Sequence, residues 1–134
     1  MFVLDTNVLS EIVRRAPHPR VLRRYRDTLD SELFTSAMCV EEMRYGCCAG
    51  PGAEIRWRKV QVRVLSRVAV LDLDYHTALL PGELRASWKR AGTPVGYADG
   101  LIAATALALD FTLVTRNITH FDHVTGLRVE NWFD

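Results

Sequence analysis

The sequence of 134 residues lacks the features that mark membrane, secreted and disulfide-stabilised proteins. No apolar run approaches the ~18 residues that a membrane-spanning helix requires. No basic stretch followed by an apolar one opens the chain, so we expect no secretory signal. The three cysteines are odd in number and too clustered for a disulfide framework, which fits a reducing cytosol. We therefore expect a cytoplasmic protein with no membrane segment.

Several signatures of other catalytic sites are absent as well. No Ser–His–Asp or Cys–His arrangement is visible, and no glycine-rich loop that would cradle a phosphate. His120 and His123 are three residues apart, but no cysteine lies at a spacing suited to zinc. A receiver domain would need paired acids after the first strand and a late lysine, and a phosphatase would need an aspartate in place of Asn7. Neither pattern is present.

The composition is that of one globular domain, which we place at residues 1–134. Hydrophobic residues make up 49% of the chain and charged residues 25%, and the net charge is +1. Basic residues nevertheless cluster in two stretches. These are Arg14, Arg15, Arg20, Arg23, Arg24 and Arg26, and then Arg56, Arg58, Lys59, Arg63 and Arg67. Basic surface around acidic centres is compatible with a nucleic-acid ligand, although a solvated helix face explains either cluster alone equally well.

Short apolar segments alternate with amphipathic ones along the chain. The pattern predicts strands near residues 1–4, 33–35, 68–71, 111–115 and 127–129. It predicts helices near residues 8–13, 20–29, 38–45, 53–67, 75–90 and 97–109, with Ser36 as a helix cap. The strand at 68–71 should be buried, and so should the last helix, which is apolar nearly all round. Such alternation predicts an α/β domain with a central, mainly parallel sheet.

Asp5 is the first candidate site residue, because it directly follows the first apolar strand. Ligand sites in parallel α/β sheets collect at the carboxyl ends of the strands. An acid in this position either caps the next helix or holds a cation. Asp5 alone does not decide between the two.

Asp99 is the only charge in an apolar, small-residue helix. Burying a carboxylate without a partner costs several kcal/mol, so it needs compensation from the helix N-terminus or from a metal ion. Ala103 and Ala106 would let this helix pack closely beside the strand that delivers Asp5. Glu41 and Glu42 are adjacent and face different ways, and periodicity does not choose between them.

Four motifs together resemble the PIN domain, and more closely the VapC toxins of type II toxin–antitoxin systems. They are Val3-Leu4-Asp5-Thr6-Asn7, Glu42-Met43-Arg44-Tyr45-Gly46, Asp99-Gly100-Leu101-Ile102-Ala103-Ala104 and Val114-Thr115-Arg116-Asn117. The resemblance covers nearly the whole chain and implies a three-layer fold with helices flanking the sheet. It implies a Mg²⁺- or Mn²⁺-dependent endoribonuclease that is neutralised by a small antitoxin and forms a homodimer. We also expect Trp57 and Trp88 to be exposed, which adds modest support for a dimer.

The resemblance also implies site residues. It assigns Asp5, Glu42 and Asp99 to the metal site, and so prefers Glu42 to Glu41. Asn117 takes a catalytic position where the family often has an acid, and His120 stands where a nearby aspartate is common, which leaves the number of metal ions open. Apart from the resemblance, two roles are equally open for three further residues, which either contact phosphate or order metal-bound water, or serve only as turn residues: Thr6, Thr115 and Arg116.

The chemistry fits these assignments, because Mg²⁺ prefers oxygen ligands and three carboxylates repel each other without a cation. Such an ion polarises a phosphodiester and activates water as the nucleophile. A PIN-like scaffold that binds RNA or a protein partner without cleaving it remains the alternative, because Asn117 departs from the family pattern.

Overall fold

Residues 1–134 form five strands and six helices in a computed structural model of the chain. The strands are β1 (Phe2–Leu4), β2 (Leu33–Ser36), β3 (Ala69–Leu71), β4 (Thr112–Val114) and β5 (Val129–Glu130). The helices are α1 (Thr6–Val13), α2 (Pro19–Asp27), α3 (Ala37–Cys48), α4 (Ala53–Val60), α5 (Tyr75–Arg90) and α6 (Tyr97–Leu109). A π-helical turn, Gln61–Leu65, continues α4. The α/β class and the order of elements predicted from the sequence are confirmed.

All five strands are parallel and lie in the order β3-β2-β1-β4-β5. The central strand, β1, pairs with β2 on one side and with β4 on the other. From β1, the chain first adds β2 and β3 on one side of the sheet, and then adds β4 and β5 on the other side. In such sheets the crevice at the reversal point, outside the carboxyl ends of the strands, is the usual ligand site. Here that point lies between β1 and β4.

The helix α6 is buried against the sheet, as its apolar sequence predicts. Ile102, Ala103, Ala104 and Ala106 are all at most 1% exposed. Small side chains let a helix backbone approach its neighbours closely, so α6 brings its first turn near the carboxyl edge of the sheet. Ser36, the predicted cap, accepts a hydrogen bond from the backbone N–H of Cys39 and begins α3.

Two expectations about burial are wrong. The strand β3 is at the edge of the sheet, so Ala69 and Val70 are exposed instead of buried. Trp88 is 8% exposed and belongs to the hydrophobic core, while Trp57 is half-buried against it. A helix must bury one face, and Trp88 lies on that face of α5. These two tryptophans are therefore not the exposed dimer contacts that the sequence suggested.

None of the helices is both long enough and apolar enough to pass through a lipid bilayer.

Candidate functional site

Asp5 lies at the carboxyl end of β1 and caps the N-terminus of α1. Its Oδ1 accepts a hydrogen bond of 2.7 Å from the backbone N–H of Thr6. Its Oδ2 accepts bonds of 2.9 Å from Asn7 Nδ2 and 2.8 Å from Thr115 Oγ1. The residue is only 5% exposed. Three donors therefore hold a nearly buried carboxylate in one orientation.

No cation compensates the charge of Asp5 among the neighbouring side chains. Burial raises the pKa of this carboxyl, and the charge of Asp99 raises it further. The hydrogen bonds from Thr115, Thr6 and Asn7 lower the pKa, but they do not overcome burial. The folded protein therefore holds this ionised carboxylate at an energetic cost, which a positive charge would relieve.

Glu42 is the second acid near this point, and it projects from α3. Burial raises the pKa of Glu42, and the charges of Asp5 and Asp99 contribute to the increase. Its neighbour Glu41 is exposed, whereas Glu42 is half-buried. Of the two adjacent glutamates, Glu42 is thus the one whose ionisation responds to the other two acids.

Asp99 is the third residue of α6, and its side chain is 34% exposed. Its Oδ2 lies 2.9 Å from His120 Nδ1. The carboxylate also acts electrostatically on both Asp5 and Glu42. The end of β1, the middle of α3 and the first turn of α6 therefore bring three carboxylates close enough for their charges to interact: Asp5, Glu42 and Asp99.

Thr115, which follows β4, is fully buried and connects several of these groups. Besides donating to Asp5, its Oγ1 accepts hydrogen bonds from Asn7 Nδ2 at 3.0 Å and from the backbone N–H of Asn117 at 3.1 Å. Asn7 Oδ1 in turn accepts a bond of 3.0 Å from the backbone N–H of Arg116. Asn7 thus ties the start of α1 to the end of β4. We did not expect this from the sequence, where its only signal was an amide two residues after the helix cap.

The side chains of Asn117 and Arg116 form no hydrogen bond in this network, although their backbone N–H groups do. The Asn117 side chain is exposed and makes no hydrogen bond, so only the backbone of Asn117 supports the site. The Arg116 guanidinium lies 4.9 Å from the centre of the Phe133 ring. Both side chains remain available to a ligand.

The residues present suit a hard divalent cation. The Thr6 hydroxyl oxygen is buried and has no hydrogen-bond partner, although it lies near Glu42. Together with the three carboxylates it makes an all-oxygen donor set, as Mg²⁺ and Mn²⁺ prefer. No three His, Cys, Asp or Glu side chains are close enough to enclose an ion by themselves. Mg²⁺ usually keeps several waters and takes only one or two carboxylates directly, so the arrangement is compatible with it.

A groove of about 520 Å³ opens beside Glu42, between α1, α3 and α4. Val13, Met43 and Val60 give it an apolar floor, and basic side chains line it as well: Arg14, Arg56 and Lys59. The groove connects one of the acids to a surface large enough for a peptide segment.

Comparison with known proteins agrees with this geometry. The sequence model of the PIN domain matches residues 2–127. "VapC ribonuclease Y4jK" of Sinorhizobium fredii is 36% identical, with 98% of this chain and 96% of that protein covered. "tRNA(fMet)-specific endonuclease VapC" of Salmonella typhimurium is 33% identical, with 98% and 97% covered.

Solved structures give the same result. DNA-bound VapBC from Salmonella typhimurium superposes with a TM-score of 0.87 at 32% identity, covering 98% of this chain and 97% of that one. FitAB bound to a DNA fragment superposes with a TM-score of 0.83 at 29% identity, covering 100% and 96%. The three-layer α/β fold is therefore that of these solved structures, and the protein belongs to the PIN domain family and, within it, to the VapC toxins.

Proposed function

We propose that the chain is a Mg²⁺- or Mn²⁺-dependent endoribonuclease of the cytoplasm and the toxin of a type II toxin–antitoxin pair. One observation carries the proposal. Asp5, Glu42 and Asp99 lie close together at the carboxyl edge of the sheet, where the charge of Asp99 raises the pKa values of Asp5 and Glu42 and the charge of Asp5 also raises that of Glu42. The one basic side chain that contacts these acids is His120, beside Asp99. A site that gathers an excess of negative charge at a ligand-binding edge is suited to a cation. The family membership supplies the reaction.

Each residue has a separate role in this proposal. Asp5, Glu42 and Asp99 would hold the ion, directly or through its waters, and the ion would supply the positive charge that polarises a phosphodiester and activates water. Asn7 and Thr115 fix the orientation of Asp5 through the hydrogen bonds described above. The Thr6 hydroxyl, which has no hydrogen-bond partner, would order a water or a phosphate oxygen beside Glu42. Asn117 is secondary, because a neutral amide attracts a divalent ion less strongly than a carboxylate does.

RNA would approach across a basic hollow on the same edge of the sheet. A depression of about 570 Å³ at the end of β5 is lined by three arginines, Arg20, Arg23 and Arg24, and also by Glu130, Asn131, Trp132 and Asp134. Two strand spacings separate β1 from β5, so the ends of these two strands are about 10 Å apart. Arg24 is paired with Glu130, whereas Arg20 and Arg23 form no ion pair and are free to contact phosphates.

The antitoxin would act through the groove beside Glu42. The solved relatives are complexes named VapBC and FitAB, each of a toxin with its antitoxin. The apolar floor and basic rim of this groove suit an amphipathic segment that carries acidic residues. A segment seated there would cover Glu42 and keep RNA from the site.

Expression of the protein in a bacterial host tests the proposal. We expect wild type to arrest growth and to leave cleaved RNA in the arrested cells, and we expect Asp99→Asn to do neither. Co-expression of a short neighbouring gene with a DNA-binding N-terminus should relieve the arrest. Equal arrest by wild type and Asp99→Asn would contradict a nuclease mechanism.

The second candidate is a PIN scaffold that binds RNA without cleaving it. The exposed amide of Asn117, where the family often has an acid, is the observation that favours it. RNA binding that is equally tight with and without divalent metal, and no cleavage in either condition, would support this second reading.

A further inference from the structure

His120 makes a single side-chain contact with one of the three acids. Its Nδ1 lies 2.9 Å from Asp99 Oδ2. Because an ionised carboxylate only accepts hydrogen bonds, Nδ1 carries the proton and donates it. No other hydrogen bond reaches the Asp99 side chain. His120 is therefore the only hydrogen-bond partner that orients the Asp99 carboxylate.

Asp5 provides the contrast. Three donors hold its carboxylate, and the residue is 5% exposed. The side chain of Asp99 is far more open to solvent and has one donor. Without that donor, Asp99 would be free to adopt several rotamers, while Asp5 would stay fixed.

His120 is itself held firmly by its backbone and its neighbours. It lies in a short 3₁₀ turn, Ile118–Phe121, and its backbone N–H donates to the Asn117 carbonyl at 3.1 Å. Phe121 is 2% exposed and anchors this turn in the core. The imidazole thus projects from a rigid support towards α6.

These contacts form one continuous connection between two of the acids. Thr115 Oγ1 donates to Asp5 and accepts from the Asn117 N–H, and the Asn117 carbonyl accepts from the His120 N–H. The His120 ring then donates to Asp99. Residues 115–120, which we term the strap, therefore link an acid on the sheet to an acid on α6.

We propose that His120 is a positioning residue that holds Asp99 in the orientation needed to bind a divalent cation. The strap sets the spacing of Asp5 and Asp99 before the cation arrives, so less ordering is required at binding. This inference rests on the proposed function, because it assumes that Asp99 binds the cation. His120 acts through Asp99 and does not itself contact the ion.

Two substitutions of His120 distinguish a hydrogen-bond donor to Asp99 from a direct ligand of the metal ion. In His120→Asn the amide Nδ2 takes the place of the imidazole Nδ1, and the hydrogen bond to Asp99 is kept. In His120→Gln the amide nitrogen reaches the place of Nε2, which faces away from Asp99. His120→Ala removes both. His123→Ala is the matched control, because His123 is also exposed and makes no side-chain hydrogen bond.

The experiment is calorimetric titration of each full-length variant with Mn²⁺ in the absence of RNA. We expect His120→Ala and His120→Gln to bind Mn²⁺ about 10-fold more weakly than wild type, as for other lost hydrogen bonds to metal ligands. His120→Asn should remain within about 3-fold of wild type, since it keeps the donor to the ligand. His123→Ala should be unchanged. Pulsed EPR of the wild type with Mn²⁺ should show no coupling to an imidazole nitrogen.

Three results would overturn the inference in distinguishable ways. If wild type binds Mn²⁺ and His120→Ala binds it equally well, His120 does not position Asp99, and the nuclease proposal stands. If Gln preserves affinity and Asn does not, or if nitrogen coupling appears, then His120 is a direct ligand through Nε2. If wild type binds no Mn²⁺, both the inference and the proposed function fail.

Discussion

Thr115 donates a hydrogen bond of 2.8 Å to Asp5, although the two residues are 110 positions apart. The bond exists because β4 lies beside β1 with Val114 opposite Leu4, so the residues that follow both strands meet at the same edge. The Thr115 hydroxyl also accepts from Asn7 and from the backbone of Asn117. One buried hydroxyl therefore organises the centre of the site.

Replacing Thr115 with valine should consequently impair both stability and activity. The valine keeps the shape but removes the acceptor of the Asn117 N–H and one of the two donors to Asp5 Oδ2. An unpaired buried polar group costs ~1–3 kcal/mol. We expect RNA cleavage to fall about 10-fold or more, because the orientation of Asp5 is relaxed. Thr115→Ser keeps the hydroxyl and is the control. Denaturant unfolding and cleavage rates measure the two effects, and a valine variant as active as the serine variant would contradict this role.

Glu42→Gln should stabilise the metal-free protein at neutral pH. The pKa of Glu42 is raised in the folded state, so the protonated form is favoured by folding and the ionised form is penalised. Wild type therefore loses stability as the pH rises from the usual glutamate pKa through the raised one, whereas the glutamine variant does not. The advantage of Glu42→Gln should be present at pH 7 and vanish near pH 4.

Thermal unfolding without divalent metal at both pH values measures this difference, with Glu41→Gln as the exposed control. Added Mn²⁺ should stabilise wild type more than Glu42→Gln, because an ion that binds only the folded state raises its stability. A Glu42→Gln protein that is less stable than wild type at pH 7 without metal would show that the carboxylate is compensated in some other way.

Arg20 and Arg23 should contribute to RNA affinity without taking part in cleavage. Each arginine that neutralises a phosphate steepens the dependence of binding on salt. The double alanine variant should bind RNA more weakly and lower the slope of log affinity against log salt by ~1–2. The control is Arg58→Ala with Arg63→Ala, two exposed arginines on α4 and the turn after it that form no ion pair. Equal slopes for the two double variants would remove the hollow from the RNA path.

The homodimer, which stays a prediction, would use the outer face of α5 and the edge strand β3. Apolar side chains are exposed there and form no part of the core: Val70, Leu73, Tyr75, Leu79 and Leu80. An apolar patch beside an unpaired strand edge is a typical site of association. We expect light scattering to show a dimer for wild type and a monomer for Leu79→Glu. Ile55→Glu, on the exposed side of α4, should remain dimeric, and a Leu79→Glu dimer would place the contact elsewhere.

The pattern of apolar residues predicted the helices and strands well, because each of them depends mainly on residues close together in the sequence. The bounds of α5 and α6 agree with the ranges expected from the sequence, 75–90 and 97–109. The burial of β3 was predicted wrongly, since an apolar run does not show whether a strand lies at the centre or at the edge of a sheet.

The residues of the candidate site were likewise predicted where a local pattern marks them, and missed where only the fold brings them together. Asp5 and Asp99 stood out because each is an isolated acid beside apolar neighbours. The contacts of Asn7, Thr115 and His120 join residues that are about 20 to 110 positions apart, and they depend on strand register and helix placement. No local pattern could have revealed them.

The most direct test of the central claim is cleavage of a total RNA pool by purified protein across a Mn²⁺ titration. We predict no cleavage in chelator, recovery on adding metal, and a loss of ~100-fold or more for Asp5→Asn and Asp99→Asn, which remove a charge from the ion's ligands. Asn117→Ala removes only a neutral dipole, so it should lose less activity and be rescued by excess metal. Cleavage that persists in chelator, or an Asp5→Asn protein as active as wild type, would contradict the account.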